Sequence, residues 1–255
     1  MTQQDSEQYL ARKQFFEQML TIYGRKPVLE ALQDKTLPAY RLHLADSNRK
    51  DGIIRDIQTL AEQRDIETLF HSRDALARIS RNGRQDQGVA LDITLPGYRD
   101  IATLRDPLPE SFRLLALDRI TNPQNLGMII RSVAASGING LLLPKNGCAS
   151  LGPLVIKASA GTLFKAPIYF CQELEPSLTK LQQRGCRIAT LSSHAKESLL
   201  DWQAPGPTVY VLGNETEGVS KTIGKLSDTA LAIPMHNGVE SLNVAVTAAL
   251  IAFKR

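Results

Sequence analysis

Cysteine is scarce in this chain and does not cluster. Cys148, Cys171 and Cys186 stand apart, with no CxxC pair and only four histidines in the whole sequence. That pattern supports neither a disulfide framework nor a zinc site, and no bound metal is expected. No stretch approaches the ~18 consecutive apolar residues of a membrane-spanning helix. The N-terminal MTQQDSEQYLARKQFFEQML is polar and charged, without the apolar core of a signal peptide, so a cytoplasmic protein is expected. Neither GxGxxG nor GxxxxGK followed by Ser or Thr is present, which speaks against a nucleotide-using α/β enzyme of those classes. Internal repeats and low-complexity segments are also lacking.

What is present suits a globular protein. Of the 255 residues, 43% are hydrophobic and 22% charged, enough for one large domain or two ordinary ones. The net charge of +4 is uneven. Residues 1–100 carry 15 basic and 15 acidic side chains, whereas residues 101–255 carry 15 and 11. The excess hints at a polyanionic partner for the C-terminal part, although many enzymes without one are equally basic.

Taken in order, residues 1–19 read as a helical arm, with the helix running to Leu20. Residues 20–95 alternate strand and helix patterns: a helix at Val28–Leu32, a strand at Tyr40–Ala45, a helix at Asp51–Arg64, a strand at Ile66–Phe70, a helix at Arg73–Ile79 and a strand at Gly88–Ile93. This is a small α/β domain. His43 and His71 read as ordinary semi-exposed residues. Arg78, Arg81, Arg84 and Arg99 mark a flexible basic region, either a phosphate-contacting loop or a solvated surface. Residues 96–111, rich in proline, read as a linker. Residues 112–255 form a second α/β domain, opening with a strand at Phe112–Leu117, a polar turn at Asn122–Asn125 and a helix at Gly127–Ser136.

The last quarter concentrates the information. VLGNETEGVS (211–220) and IPMHNGVESLNVAVTAALIAF (233–253) each pass from an apolar run through a glycine-containing loop into a helical pattern. Side by side, such units bring backbone N–H groups to one sheet edge, where α/β proteins bind ligands. Two ordinary strand–helix turns fit the pattern equally well. The final helix is too apolar and too rich in small residues for a surface helix.

Three blocks now stand in order: NPQNLGMIIRSVAASG, LGNETEG and IPMHNGVESLNVAVTAAL. Together they resemble the motifs of the SpoU (TrmH) family of RNA ribose methyltransferases, over about residues 112–253. A looser similarity at IYGRKPVLEAL and QDQGVALDI extends to that family's accessory substrate-binding domain. The shape is closest to the bacterial 23S rRNA guanosine 2′-O-methyltransferase type. The resemblance implies an α/β fold with a C-terminal trefoil-knotted methyltransferase domain, preceded by a small ribosomal-protein-like α/β domain. It also implies S-adenosylmethionine as cofactor, with contacts carried over to Gly213, Ile233 and Leu242. It implies a homodimer and a structured RNA substrate, rRNA ahead of tRNA. A non-catalytic RNA-binding or ribosome-assembly factor would use the same two domains.

The same resemblance points to Asn125, Arg131, Glu215, Ser241 and Asn243 as catalytic candidates. A ribose hydroxyl is a weak nucleophile that must lose its proton as it attacks, so the enzyme needs alignment and stabilisation of developing negative charge. The family proposal makes Arg131 a general base. A guanidinium with pKa above ~12 fits better as a clamp on phosphate and forming alkoxide. Asn125, six residues before Arg131, is on a different helical face and is expected at the helix entrance, as a cap or a ribose or phosphate contact. Glu215 orients Arg131 or Asn125, or braces its loop. Of Ser241 and Asn243, one contacts substrate while the other caps the last helix.

Overall fold

Runs such as RLLAL, GLLLP and TVYVL carry no alternation of polar and apolar residues, as befits parallel strands covered on both faces. The computed structural model describes residues 15, 19–35, 37–49, 51–94 and 98–254, apart from the side chain of Pro153. The chain divides into two compact units, residues 1–96 and 97–255.

The N-terminal unit contains β1 (Met19–Tyr23), α1 (Arg25–Gln33), β2 (Ala39–Ala45), α2 (Gly52–Gln63), β3 (Glu67–His71), α3 (Arg73–Ser80) and β4 (Val89–Thr94). The strands form one sheet in the order β1-β4-β2-β3, with β2 and β3 parallel and the other pairs antiparallel. Met19 and Leu20, expected in the N-terminal helix, lie in β1 instead; pairing of MLTIY with β4 overrides local helical pattern. The rest of that expected helix falls outside the described residues, Phe15 excepted. Arg64 closes α1 from a distance. Its guanidinium donates to the carbonyls of Ala31 and Leu32 in the last turn and of Asp34 and Leu37 in the loop that follows.

His43 is buried rather than semi-exposed, and the semi-exposed His71 is joined to it in a hydrogen-bonded chain. Thr21 donates to Asp92 Oδ1 at 2.6 Å, Asp92 Oδ2 meets His43 Nε2 at 2.9 Å, and His43 Nδ1 meets His71 Nε2 at 3.0 Å. His43 is only 5% exposed. One polar chain thus crosses all four strands, one residue from each. Nor is the basic stretch 81–88 slack. Buried Asp86 takes bonds from the Ser80 hydroxyl and Gly88 N–H, Asn82 donates to the Tyr23 hydroxyl, and Gln87 holds Arg25. Arg81 and Arg84 are presented, exposed, from an organised loop.

The C-terminal unit contains β5 (Tyr98–Asp100), β6 (Arg113–Leu117), α4 (Pro123–Ala135), β7 (Gly140–Pro144), α5 (Pro153–Ala158), β8 (Ile168–Cys171), α6 (Leu174–Gln183), β9 (Arg187–Leu191), β10 (Glu197–Ser198), β11 (Thr208–Leu212), α7 (Lys221–Leu226), β12 (Thr229–Ala232) and α8 (Val244–Phe253). Its eight strands run parallel in the order β10-β12-β9-β11-β6-β7-β8-β5. Part of the expected linker belongs to this unit. β5 pairs with β8, Ile101, Leu104 and Leu108 pack on the core, and Arg184 bonds the carbonyls of Leu104 and Arg105. Prolines interrupted the period without preventing packing.

Helix α4 packs against both α5 and α8. A Cβ at Gly127 would stand 2.5 Å from the Ala158 Cβ and 2.8 Å from the Val155 carbonyl, so glycine sets the approach of α4 to α5. Helix α8 buries Val244, Ala245, Ala248, Ile251 and Ala252. Its other side leaves Val246, Leu250 and Phe253 exposed, so a helix too apolar for a surface does show one apolar face. Among the described residues no helix is long and apolar enough to cross a membrane, and no cluster of His, Cys, Asp or Glu could hold a metal ion.

Candidate functional site

The site lies where the sheet changes direction. From β6 the chain moves outward through β7 to β8; on the other side of β6 lies β11, followed outward by β9 and β12. β6 and β11 pair from Arg113↔Thr208 to Leu117↔Leu212, so their carboxyl ends finish together. Such a switch point leaves a crevice beyond the strand ends, the usual ligand position in α/β sheets. The loops 118–122 and 213–220 border it.

These two loops are strapped to each other. Asp118 N–H donates to the Leu212 carbonyl at 2.8 Å, and buried Asp118 accepts from Ser220 N–H at 2.6 Å. Asn214 Nδ2 donates to the Arg119 carbonyl at 3.1 Å. Arg119 in return donates to the Gly218 carbonyl at 3.1 Å and pairs with Glu217. Arg119 has φ 59, a left-handed conformation that a non-glycine residue holds only when its surroundings over-determine it. Gly213 permits the second loop's closure: a Cβ there would lie 2.1 Å from the Gly218 carbonyl carbon and the Val219 nitrogen.

Asn122 begins α4. Its Oδ1 accepts from Gln124 N–H at 2.8 Å and Asn125 N–H at 3.3 Å, and Pro123 follows at the first helical position. The helix therefore starts four residues earlier than the Gly127 expected from sequence, and Asn122, not Asn125, is the cap. That frees the side chain of Asn125, which is 8% exposed, for tertiary contacts. Asn125 Nδ2 donates to Glu215 Oε1 at 2.6 Å, and Asn125 Oδ1 accepts from Asn243 Nδ2 at 3.1 Å.

The polarity of this relay is fixed at one end. Asn243 caps α8, its Oδ1 accepting from Ala245 N–H at 2.8 Å. Its amide nitrogen must then face Asn125, which must show it an oxygen, leaving the Asn125 nitrogen for the Glu215 carboxylate. The relay joins one residue from each of the three blocks.

Arg131 lies six residues, less than two turns, further along α4, about 9 Å along the axis from Asn125. It is exposed and makes no hydrogen bond or ion pair among the described residues. Ser241 is likewise exposed and unbonded there. Gly213 and Ile233 are half-buried; Leu242 is 37% exposed. The backbone of residues 233–242 makes a single hydrogen bond among the described residues, Val239 N–H to the His236 carbonyl. A mostly exposed, irregular stretch with few backbone bonds, broken by a turn at Asn237–Gly238, thus follows the carboxyl end of β12. Nearby Cys148 donates from Sγ to the Leu117 carbonyl at 3.6 Å, and burial pushes its thiol pKa up, away from nucleophilic use.

Sequence reasoning missed the strap of Asp118, Arg119, Asn214 and Glu217. Its one visible signal was a charged pair, Asp118-Arg119, directly after an apolar strand.

Comparison with known proteins agrees with this layout. Residues 113–253 match the SpoU rRNA Methylase family, and residues 21–99 match the domain described as RNA 2'-O ribose methyltransferase substrate binding. An uncharacterized tRNA/rRNA methyltransferase of Mycolicibacterium smegmatis is 33% identical over 234 residues, 90% of this chain and 74% of that protein. The fold is similar to that of the SpoU methyltransferase AviRb from Streptomyces viridochromogenes, solved with the cofactor AdoMet: TM-score 0.62, 23% identity, 98% of this chain and 92% of that one. An AdoMet-bound rRNA methyltransferase from Sinorhizobium meliloti gives a TM-score of 0.63 at 20% identity, covering 98% and 89%. With a family match spanning more than half its length and a relative one-third identical along most of it, the chain belongs to the SpoU rRNA Methylase family.

Proposed function

We propose that this protein transfers a methyl group from S-adenosylmethionine to a ribose 2′-hydroxyl, that of a guanosine in 23S rRNA. The observation that carries the reading is the Glu215–Asn125–Asn243 relay, which gathers all three motif blocks at the switch point.

The residues present fit the cofactor. Gly213, Ile233 and Leu242 belong to segments at the carboxyl ends of β11 and β12, and the exposed peptide groups of 233–242 that make no protein hydrogen bond are accessible to a ligand's polar atoms. When bound there, the cofactor supplies an electrophilic methyl carbon on a sulfonium. The protein's task is the nucleophile. Arg131 clamps the phosphate beside the target ribose and stabilises the oxygen as its proton departs to phosphate or water. Asn125, oriented by Glu215 and Asn243, positions the ribose. Ser241 contacts substrate, since Asn243 is occupied as the cap.

The wider architecture follows the same reading. After β12 the chain crosses back past β9 and β11 to bring α8 onto α4, a return that supports the trefoil knot. Val246, Leu250 and Phe253 recur at helical spacing on an exposed face of α8, with Val239 and Leu242 exposed just before it. Such a face suits a second copy of the chain, hence a homodimer. Residues 20–95 act as the RNA-binding domain, with Arg81 and Arg84 on its organised loop, and the enzyme works in the cytoplasm.

The test is methyl transfer from labelled S-adenosylmethionine to total rRNA and total tRNA from cells lacking the protein, with Arg131→Ala alongside. Label in rRNA that vanishes with the variant is the expected result. Label in tRNA alone would overturn the substrate, and no label in either RNA despite bound cofactor would favour an RNA-binding assembly factor.

A further inference from the structure

Beside β3 of the N-terminal unit lies a cleft of about 280 Å³ lined by Leu44, Ala45, Asp46, Asn48, Ile54, Gln58 and Phe70. This is just below the ~300 Å³ at which pockets for drug-sized ligands begin, so it suits one planar ring system. Its wall is unusual for the end of a strand. Phe70, paired in register with Leu44, is 52% exposed although it stands on a sheet face that helix α2 otherwise covers. Leu44 and Ile54, 1% exposed each, supply a rigid floor.

The polar groups fall into two kinds. Asn48 is spent: its Nδ2 donates to the Gly88 carbonyl at 2.7 Å and its Oδ1 accepts from Arg25. The Asp46 carboxylate and the Gln58 amide make no hydrogen bond among the described residues. Arg55, one turn before Gln58 on α2, and Arg49, in the loop after β2, have no acidic partner among those residues either. An aromatic face and a carboxylate without a hydrogen-bond partner in the wall, with unpaired cations on the adjoining loop and helix, are what one unstacked base with its phosphates requires.

We propose that this cleft holds a single unpaired guanine of the RNA substrate, stacked on Phe70 with its edge on Asp46. A carboxylate only accepts hydrogen bonds. The guanine edge offers it two adjacent donors, N1–H and N2–H, whereas adenine offers one amino group beside an acceptor nitrogen. Gln58 meets the base through its amide, while Arg49 and Arg55 hold flanking phosphates. The inference rests on the reading of this unit as the RNA-holding one. It adds a base-selective site separate from the reaction centre.

The test uses the full chain with saturating S-adenosylhomocysteine, which keeps bases out of the cofactor site. Fluorescence anisotropy follows binding of the single-stranded pentamers UUGUU and UUAUU. The expected result is tighter binding of the guanine pentamer, a loss of about tenfold with Phe70→Ala, and loss of the guanine preference with Asp46→Asn. Both side chains are exposed, and circular dichroism checks that each variant is folded. Equal affinity for the two pentamers, or a Phe70→Ala variant that binds like the wild type, overturns the proposal. Methyl transfer measured on the same preparations separates the two claims. Arg131→Ala should stop transfer, while the loss of pentamer affinity caused by Phe70→Ala should persist in the Arg131→Ala background, so failure of one reading leaves the other standing.

Discussion

The two units place their polar residues in opposite ways. In the C-terminal unit the central strands β6, β7 and β11 are nearly continuous apolar runs, and the chemistry collects in loops beyond their carboxyl ends. In the N-terminal unit the polar residues lie within the sheet: Thr21, Asp92, His43 and His71 form a chain that visits every strand. A parallel sheet covered on both faces has no room for such a chain, so its functional groups must gather at the ends. A small mixed sheet with an uncovered region can spend a buried carboxylate and two imidazoles on internal order. The first arrangement makes a crevice and the second a rigid platform.

Breaking the crevice should have the largest effect. Arg131→Ala is expected to lower methyl transfer by about 10²–10³-fold, the scale of losing one preorganised stabilising group, without moving the unfolding midpoint. Arg131→Lys keeps the charge and loses the planar fork, so it should recover little of that. Single-turnover assays beside thermal melts check both.

Asn125→Ala should reduce activity and also cost about 0.5–1.5 kcal/mol of stability, the net worth of lost hydrogen bonds whose other partners, Glu215 and Asn243, are exposed and can turn to water. Urea titration of the variant measures this. Arg119→Ala acts one step further out. It removes the contacts to Glu217 and Gly218 while leaving the Asn214 bond to the backbone, so it should lower kcat by less than Asn125→Ala does, with little change in fold. Restoration by Arg119→Lys would mean that charge alone suffices.

The smallest effect sharpens the platform side of the comparison. The carboxylate of Asp92 accepts from His43 Nε2–H, so neutral His43 offers Nδ1 as an acceptor to His71. Burial lowers the His71 pKa, and the neighbouring His43 lowers it further against the opposing charge of Asp46. The folded state therefore prefers neutral His71. Its contribution to stability is present above the unfolded value of about 6.5 and is lost as pH falls through the lower folded value. Urea midpoints between pH 7.5 and 5.5 should fall less in His71→Gln than in the native chain.

How much of this was legible in the sequence follows from the same contrast. The strands β6, β7 and β11 could be read because buried parallel strands are continuous apolar runs. The residues of the relay, Asn125, Glu215 and Asn243, could be picked out because each belongs to a compact motif, and Glu215 orienting Asn125 was among the alternatives; the bond from Asn243 to Asn125, 118 residues apart, was not. The start of α4 was misjudged because Asn-Pro looked like a turn, when proline at the first helical position and asparagine as cap begin a helix. The strand Tyr98–Asp100 escaped notice because three residues are too few to show a period. The burial of His43 was misread since nothing local to it announces a carboxylate on the neighbouring strand.

The most direct measurement concerns which atom receives the methyl group. RNA labelled by the protein is hydrolysed with alkali, which needs a free 2′-hydroxyl at each cleaved linkage. The account predicts that the label migrates as an alkali-resistant dinucleotide beginning with guanosine. Label recovered in mononucleotides would mean methylation of a base and would contradict the proposed chemistry of the switch-point site.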